Sequence, residues 1–333
     1  MSSNEMILEI EDLTVEFSTR GGTARVLDSI NLRISRGETL GIVGESGCGK
    51  SMTALAVMGL LPEPHGKIAG GAIRFQGEDL VQASAARMRQ IRGDRIGMIF
   101  QEPMTSLNPV YPIGEQIAES VRLHEGVDNR QAMQRAREML SAVRIPDAGR
   151  RLGDYPHELS GGMRQRVMIA MALACSPDIL IADEPTTALD VTVQAQILDL
   201  LRGLQAETGT AILLITHNIG VIAEMADRVA VVYAGRKVEE AGVVEIIKSP
   251  LHPYTRRLIN CVPHLDRDPP AKRSDLAEIP GTVPSILRPQ GGCAFAERCQ
   301  DAFAPCSLER PPIKDAEPSH QVACHLHAGA VLT

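Results

Sequence analysis

The sequence predicts an α/β fold, a parallel β-sheet with helices on its faces, followed by a loop-rich tail. Three observations predict it. Between Ile179 and Tyr233, short apolar runs of strand length alternate with longer runs of helix formers. A glycine-rich loop, Gly44–Ser51, lies between an apolar run and a helical one. More than half of the 21 prolines fall between Pro250 and Pro318, where regular periodicity fades.

Taken in order, Ile7–Phe17 places Leu13, Val15 and Phe17 on one face, which reads as a strand. Arg20-Gly21-Gly22 makes a turn, and Val26–Ile34 is expected to pair back as an antiparallel subdomain. Thr39–Val43 is a buried strand, and the helix from Lys50 to Leu61 is stopped by Pro62 and Pro64. Ile73–Phe75 and Ile96–Phe100 are further strands, the second ending at Gln101. Residues from about 102 to 165 read as a helical insertion rich in Glu, Gln, Arg and Ala. Then follow helix Gly162–Cys175, strand Ile179–Ala182, helix Val191–Glu207, strand Ala211–Ile215, helix Ile219–Ala226 and strand Arg228–Tyr233. The composition shift divides the chain into residues 1–245 and a separate extension, 246–333.

Composition narrows the function. Apolar residues make up 44%, but aromatics only 3% and Trp is absent, so the core must be aliphatic. The net charge of −7, from 34 basic and 41 acidic residues, argues against a nucleic-acid partner. No run approaches the roughly 20 apolar residues needed to cross a bilayer. The start, Met1-Ser2-Ser3-Asn4-Glu5, lacks the basic-then-apolar design of a secretory signal. The expectation is a cytoplasmic protein that reaches a membrane only through partners.

Two motifs carry chemistry. Gly44-Glu45-Ser46-Gly47-Cys48-Gly49-Lys50-Ser51 fits G-x-x-x-x-G-K-[ST]. Its glycines let backbone N–H groups curl around phosphate oxygens, and the following helix, through Met52, points its positive end at them. Lys50 is suited to the β- and γ-phosphates of ATP and Ser51 to Mg²⁺. The second motif is an apolar strand ending in two carboxylates, Asp183 and Glu184. Two such acids repel each other unless a cation sits between them. Asp183 is placed to hold Mg²⁺, and Glu184 to polarise an attacking water.

A third segment, Leu159-Ser160-Gly161-Gly162-Met163-Arg164-Gln165-Arg166, reads as a capped helix start with close backbone approach at its glycines. It resembles the signature motif of the ABC ATPases. Gln101 looks like their Q-loop, Ala188-Leu189-Asp190 like their D-loop and His217 like their switch histidine. The resemblance covers roughly residues 5–245. It implies a P-loop NTPase (RecA-like) core with an N-terminal antiparallel β subdomain and a helical signature subdomain. It also implies that Ser160, Gly161, Gly162 and Gln165 face the ATP of a partner subunit, that His217 meets the γ-phosphate, and that Gln101 contacts Mg²⁺ or water. Phe17 stands where that family stacks a ring on adenine.

Four of the seven cysteines crowd the extension as C-x5-C-x6-C-x17-C: Cys293, Cys299, Cys306 and Cys324. Four thiolates suit zinc or an iron–sulfur cluster, and the spacing does not choose between them. The runs Ser249–Thr255, Ile279–Pro284 and Gly292–Cys299 resemble the dipeptide/oligopeptide importer ATPases. Some members of that group carry a 4Fe–4S cluster on such cysteines. The resemblance thus implies a 4Fe–4S cluster, with Zn²⁺ as the alternative, and a metal that holds the extension folded. It further implies two transmembrane permease subunits, a second homologous ATPase subunit, an extracytoplasmic substrate-binding protein, and a peripheral place on the cytoplasmic face of the membrane. Peptide is the expected cargo, with nickel, glutathione or another small solute as alternatives. A soluble ATPase of translation, repair or cofactor assembly is the reading from another class.

Overall fold

The computed structural model describes residues 5–101, 106–187, 189–261, 279–284 and 291–327. Strands β1 (Met6–Thr19) and β2 (Gly22–Ser35) form the long hairpin expected around the glycine turn. Strand β3 (Thr39–Val43) runs into the glycine loop, and helix α1 (Lys50–Val57) leaves it. This helix ends four residues before the predicted Leu61. Strand β4 (Gly66–Phe75) is longer than predicted; it pairs with β1 and carries the short β5 (Glu78–Asp79) on its other edge.

Helix α2 (Ala85–Ile91) leads to β6 (Ile96–Ile99). The helical insertion holds α3 (Ile113–Glu125), α4 (Asn129–Ala142) and the single-turn α5 (Ala148–Arg151). Asp128 and Gln131 close a reciprocal capping box at the start of α4, which fixes where that helix begins. Next come α6 (Gly161–Leu173), β7 (Ile179–Asp183), α7 (Val191–Thr208), β8 (Ala211–Ile215), α8 (Ile219–Met225) and β9 (Arg228–Tyr233). Each lies within two residues of its predicted bounds.

Among the described residues the strands form two sheets. One is antiparallel, ordered β2-β1-β4-β5. In the other, β3 lies between β8 and β9 and runs parallel to both, with β7 and β6 continuing the parallel order. Side-chain alternation explains why the parallel strands are apolar throughout. Leu40, Ile42, Ile179, Ile181, Leu213 and Ile215 pack toward α1 and the antiparallel sheet. Val43, Leu180, Ala182, Ile212, Leu214 and Val231 pack toward α6, α7 and the helical insertion.

The extension adds strands to the core sheet. Strand β10 (Arg236–Gly242) pairs antiparallel with β9, and α9 (Val243–Lys248) and α10 (Pro253–Asn260) follow. After α11 (Ala304–Leu308), the hairpin of β11 (Lys314–Glu317) and β12 (His320–Val322) adds to the free edge of β10. One sheet therefore runs from the extension into the core. The charges of strand β10 mask it in the sequence, yet Glu239 is fully buried. Its carboxylate accepts from the N–H groups of Leu251 (2.6 Å) and His252 (3.0 Å) and lies 2.7 Å from His320 Nε2. A buried charge is tolerable when it is bonded this fully.

Candidate functional site

Parallel pairing brings the chemical residues together. Ile42 of β3 and Asp183 of β7 both stand beside Ile215 of β8, and Ile99 of β6 stands beside Ala182. The glycine loop, the Asp183-Glu184 pair, His217 and Gln101 therefore all emerge at the carboxyl ends of adjacent strands. Ligands of open α/β sheets bind at that edge.

The loop is shaped for an anion. Gly44 has φ +155°, and a Cβ there would come within 2.1 Å of the Val232 carbonyl oxygen. Lys50 is buried, and its ammonium donates to the carbonyls of Gly44 (2.8 Å) and Glu45 (3.0 Å). Ser46 and Gly47 face solvent at the loop tip, Cys48 is buried beneath it, and Met52 is half-buried in α1. Burial pushes the Cys48 thiol up despite the neighbouring Lys50. Glu45 points away from the loop, toward Arg298 and Tyr254 of the extension.

Ser51 Oγ donates to Asp183 Oδ1 at 3.1 Å. Burial raises the Asp183 carboxyl above the usual range, the Ser51 bond opposes that rise, and the nearby Glu184 charge adds to it. A hydroxyl and a desolvated carboxylate, side by side at a phosphate loop, form a donor set suited to Mg²⁺. Glu184 sits at φ +51°, a left-handed conformation that costs a non-glycine residue about 1–3 kcal/mol. Its N–H donates to the Ile215 carbonyl at 2.8 Å. One carboxylate oxygen lies 2.7 Å from His217 Nδ1, and the other accepts from the Thr187 hydroxyl. Thr187 was missed in the sequence because a threonine in a turn carries no periodic signal.

The remaining predicted residues sit on other elements. Gln101 is exposed just past β6, and Phe17 is half-buried on β1 opposite Ala24 and Gly66. Ser160 caps α6, its Oγ accepting from Met163 N at 3.4 Å, with Gly161 exposed in the first turn. Asp190 caps α7 by accepting from Val193 N at 2.9 Å. The two helix starts touch: a Cβ on Gly162 would come within 2.9 Å of Val193 Cγ1. Gln165 is buried, and its amide donates to the Pro185 carbonyl at 2.6 Å, inside its own subunit. Ala188 lies outside the described residues.

The iron–sulfur expectation is overturned, and zinc gains no support. Among the described residues no group of three or more His, Cys, Asp or Glu side chains is arranged to hold a metal ion. Cys293, Cys299, Cys306 and Cys324 line one cavity of about 10 Å³, room for about one water. Burial pushes the Cys293 and Cys299 thiols up, and that of Cys324 up to about 11, which favours the protonated thiol. Tyr233, Tyr254 and Phe295 are fully buried against one another, with centroids 4.6, 5.3 and 5.4 Å apart.

A phosphate loop on β3, an acidic pair on β7 and a histidine after β8 define a nucleotide-hydrolysing P-loop protein. Comparison with known proteins gives the particular family. The ABC transporter family matches residues 27–187, and the oligopeptide/dipeptide transporter C-terminal region matches residues 238–306. A probable peptide ABC transporter ATP-binding protein of Sinorhizobium fredii is 52% identical over 97% of both chains. A putative peptide import ATP-binding protein of Brucella abortus is 50% identical, again over 97% of both chains. Among solved structures, a dimeric post-hydrolysis ATP-binding cassette bound to ADP and Pi has TM-score 0.64 at 28% identity, covering 71% of this chain and 99% of that one. The cbiO1 protein of Clostridium perfringens, part of the ABC transporter complex cbiONQ, has TM-score 0.63 at 28% identity, covering 74% of this chain and 92% of that one. The chain belongs to the ATP-binding subunits of ABC transporters that carry the oligopeptide/dipeptide C-terminal region. Its reaction is ATP hydrolysis coupled to transport.

Proposed function

We propose that this chain powers the import of di- and oligopeptides. The observation that carries the proposal is the oligopeptide-type region matched at 238–306, whose Arg298 bonds to Glu45 of the phosphate loop. In this reading the chain lies on the cytoplasmic face of the membrane beneath two permease subunits. It pairs with a second, homologous ATPase and receives cargo from an extracytoplasmic binding protein. Among the described residues no helix is long and apolar enough to cross a membrane.

The site residues take these roles. The N–H groups of the loop and Lys50 hold the phosphates, and Phe17 stacks on the base. Ser51, Asp183 and Gln101 would hold Mg²⁺, which would supply positive charge against the phosphate oxygens. Glu184 accepts a proton from the attacking water, and His217 fixes the Glu184 carboxylate while facing the γ-phosphate. Ser160, Gly161 and Gly162 complete the site of the partner ATPase across the dimer. Asp190 positions that interface. The inward bond of Gln165 supports a role in tying the signature helix to the loop after β7.

The test is transport by the assembled complex in proteoliposomes, driven by ATP on the side of this subunit. Labelled di- and oligopeptides should accumulate, with nickel and glutathione as competing cargoes. Uptake of nickel or glutathione without peptide uptake would move the chain to another branch of the family. ATP turnover with no permease association would sink the transport reading.

A further inference from the structure

We infer that Arg298 and Tyr254, both in the C-terminal extension, are positioning residues of the nucleotide site: they fix Glu45, and through it the phosphate loop. Glu45 is gripped at three points. Its carboxylate accepts a two-pronged bond from the Arg298 guanidinium, at 2.7 and 2.9 Å. Its N–H donates to the Tyr254 hydroxyl at 2.8 Å. Its carbonyl accepts from Lys50 Nζ at 3.0 Å and from Cys48 N at 3.3 Å. Glu45, which bonds to the extension, thus also supplies one of the two carbonyls that seat the phosphate-binding lysine, Gly44 supplying the other.

Arg298 is itself immobilised. Nε donates to the Pro280 carbonyl (2.9 Å), Nη2 to the Ile279 carbonyl (3.0 Å) and Nη1 to the Tyr233 hydroxyl (3.2 Å). Its guanidinium also lies over the rings of Tyr233 and Phe295, 5.8 and 5.9 Å from their centroids. The chain has nine Phe and Tyr residues in all, five plus four, and three of them build this joint. In a ring-poor protein that concentration marks a rigid anchor. A planar guanidinium bonded at both prongs sets direction as well as distance, which lysine cannot do. A loop fixed in its binding shape spends less affinity on ordering when the nucleotide arrives.

The inference rests on the nucleotide reading of the loop, so the experiment separates the two. Full-length protein is titrated with a fluorescent ATP analogue and Mg²⁺, and the assembled transporter is assayed for ATPase activity. Lys50→Ala is the site control: binding lost in this variant confirms the site, and a wild-type chain that binds no nucleotide would overturn the site reading and the inference with it. Glu45→Gln and Arg298→Gln should each weaken binding about tenfold, and raise KM equally, with kcat within about twofold. Tyr254→Phe, which removes one hydroxyl, should weaken binding about threefold. Because Arg298 acts through Glu45, the Glu45→Gln/Arg298→Gln double variant should be no weaker than the worse single one. A contact that merely staples the extension to the core would lower the melting temperature and leave the affinity of the folded protein unchanged. That result in both single variants, or strictly additive losses in the double one, overturns the inference. If Arg298→Gln does not fold, Glu45→Gln and Tyr254→Phe decide, because both leave Arg298 its bonds to Pro280, Ile279 and Tyr233.

Discussion

The parallel core and the C-terminal extension meet in one sheet but are held by different forces. In the core, β3, β7 and β8 are five-residue strands buried along their whole length, and each face packs by aliphatic alternation. In the extension, β11 and β12 have four and three residues, and burial along them is broken. What fixes that region is a small set of specific groups: three packed rings, the carboxylate of Glu239 and the guanidinium of Arg298. The difference teaches that a segment without hydrophobic periodicity can still be firmly placed when the buried charges that anchor it, Glu239 and Arg298, are each bonded several times over. Such a region is also fragile in a particular way, because each of those groups is singly responsible for a share of the order.

The comparison is tested most sharply by one change on each side. In the core we predict that Glu184→Gln lowers kcat about 10²–10⁴-fold while ATP still binds and neither region melts earlier. Phosphate release and nucleotide titration measure this, and unchanged turnover would remove Glu184 from the role of base. In the extension, Phe295→Ala should cost about 3–5 kcal/mol, the usual range for emptying a buried aromatic site. Hydrogen exchange should show residues 291–327 losing protection while β3, β7 and β8 keep theirs. Equal losses in both regions would mean that they unfold as one unit.

The unequal legibility of the two regions has the same physical source. Thr39–Val43, Ala211–Ile215 and Arg228–Tyr233 were legible to the residue because a buried parallel strand must be continuously apolar and its flanks must turn. Lys50, Ser51, Asp183 and Glu184 stood out because phosphate and metal chemistry asks for those types after a glycine loop and at a strand end, whereas His217 was singled out by the family resemblance alone. Strand β10 was not legible, since Arg236, Lys237, Glu239 and Glu240 have the charge of a surface segment until His320 and the N–H groups of Leu251 and His252, just ahead of α10, are brought against Glu239. The cysteines misled for a related reason. Spacing says that thiols share a neighbourhood, and they do line one cavity, but spacing does not fix the volume between them. Arg298 and Tyr254 carried no signal that pointed to a loop more than 200 residues earlier (|i−j| of 253 and 209).

Acid should sharpen the contrast further. His252 is buried, and that burial, with the nearby positive groups His327 and Arg256, pushes its pKa down to about 3. Its Nδ1 accepts from Tyr254 N at 3.0 Å, a bond that needs the neutral ring. The unfolded chain takes up a proton at its ordinary value, about 6.5, whereas the folded one does so only near 3. Stability from this group is therefore full above about pH 6.5 and is lost as pH falls toward 3, at up to about 1.4 kcal/mol per pH unit. Melting curves across that window should show the extension failing first, and His252→Asn should flatten the dependence. A wild-type extension as stable at pH 4.5 as at pH 7 would contradict a buried neutral histidine.

The smallest predicted effect bears most directly on what holds the extension. If rings and partnered charges do so, exchanging one thiol for a hydroxyl should matter little. Cys324→Ser places a hydroxyl at a half-buried position, a cost of about 1 kcal/mol. A region folded by a metal would behave differently, because losing one of four ligands removes most of the folding free energy at once. Calorimetry of Cys324→Ser beside Phe295→Ala distinguishes the two. Ring loss greatly exceeding thiol loss places the extension's stability in the joint that grips Glu45. The reverse order would place it in the thiols and reduce the aromatic joint to filler, leaving the junction with the phosphate loop as the one feature that the rings secure.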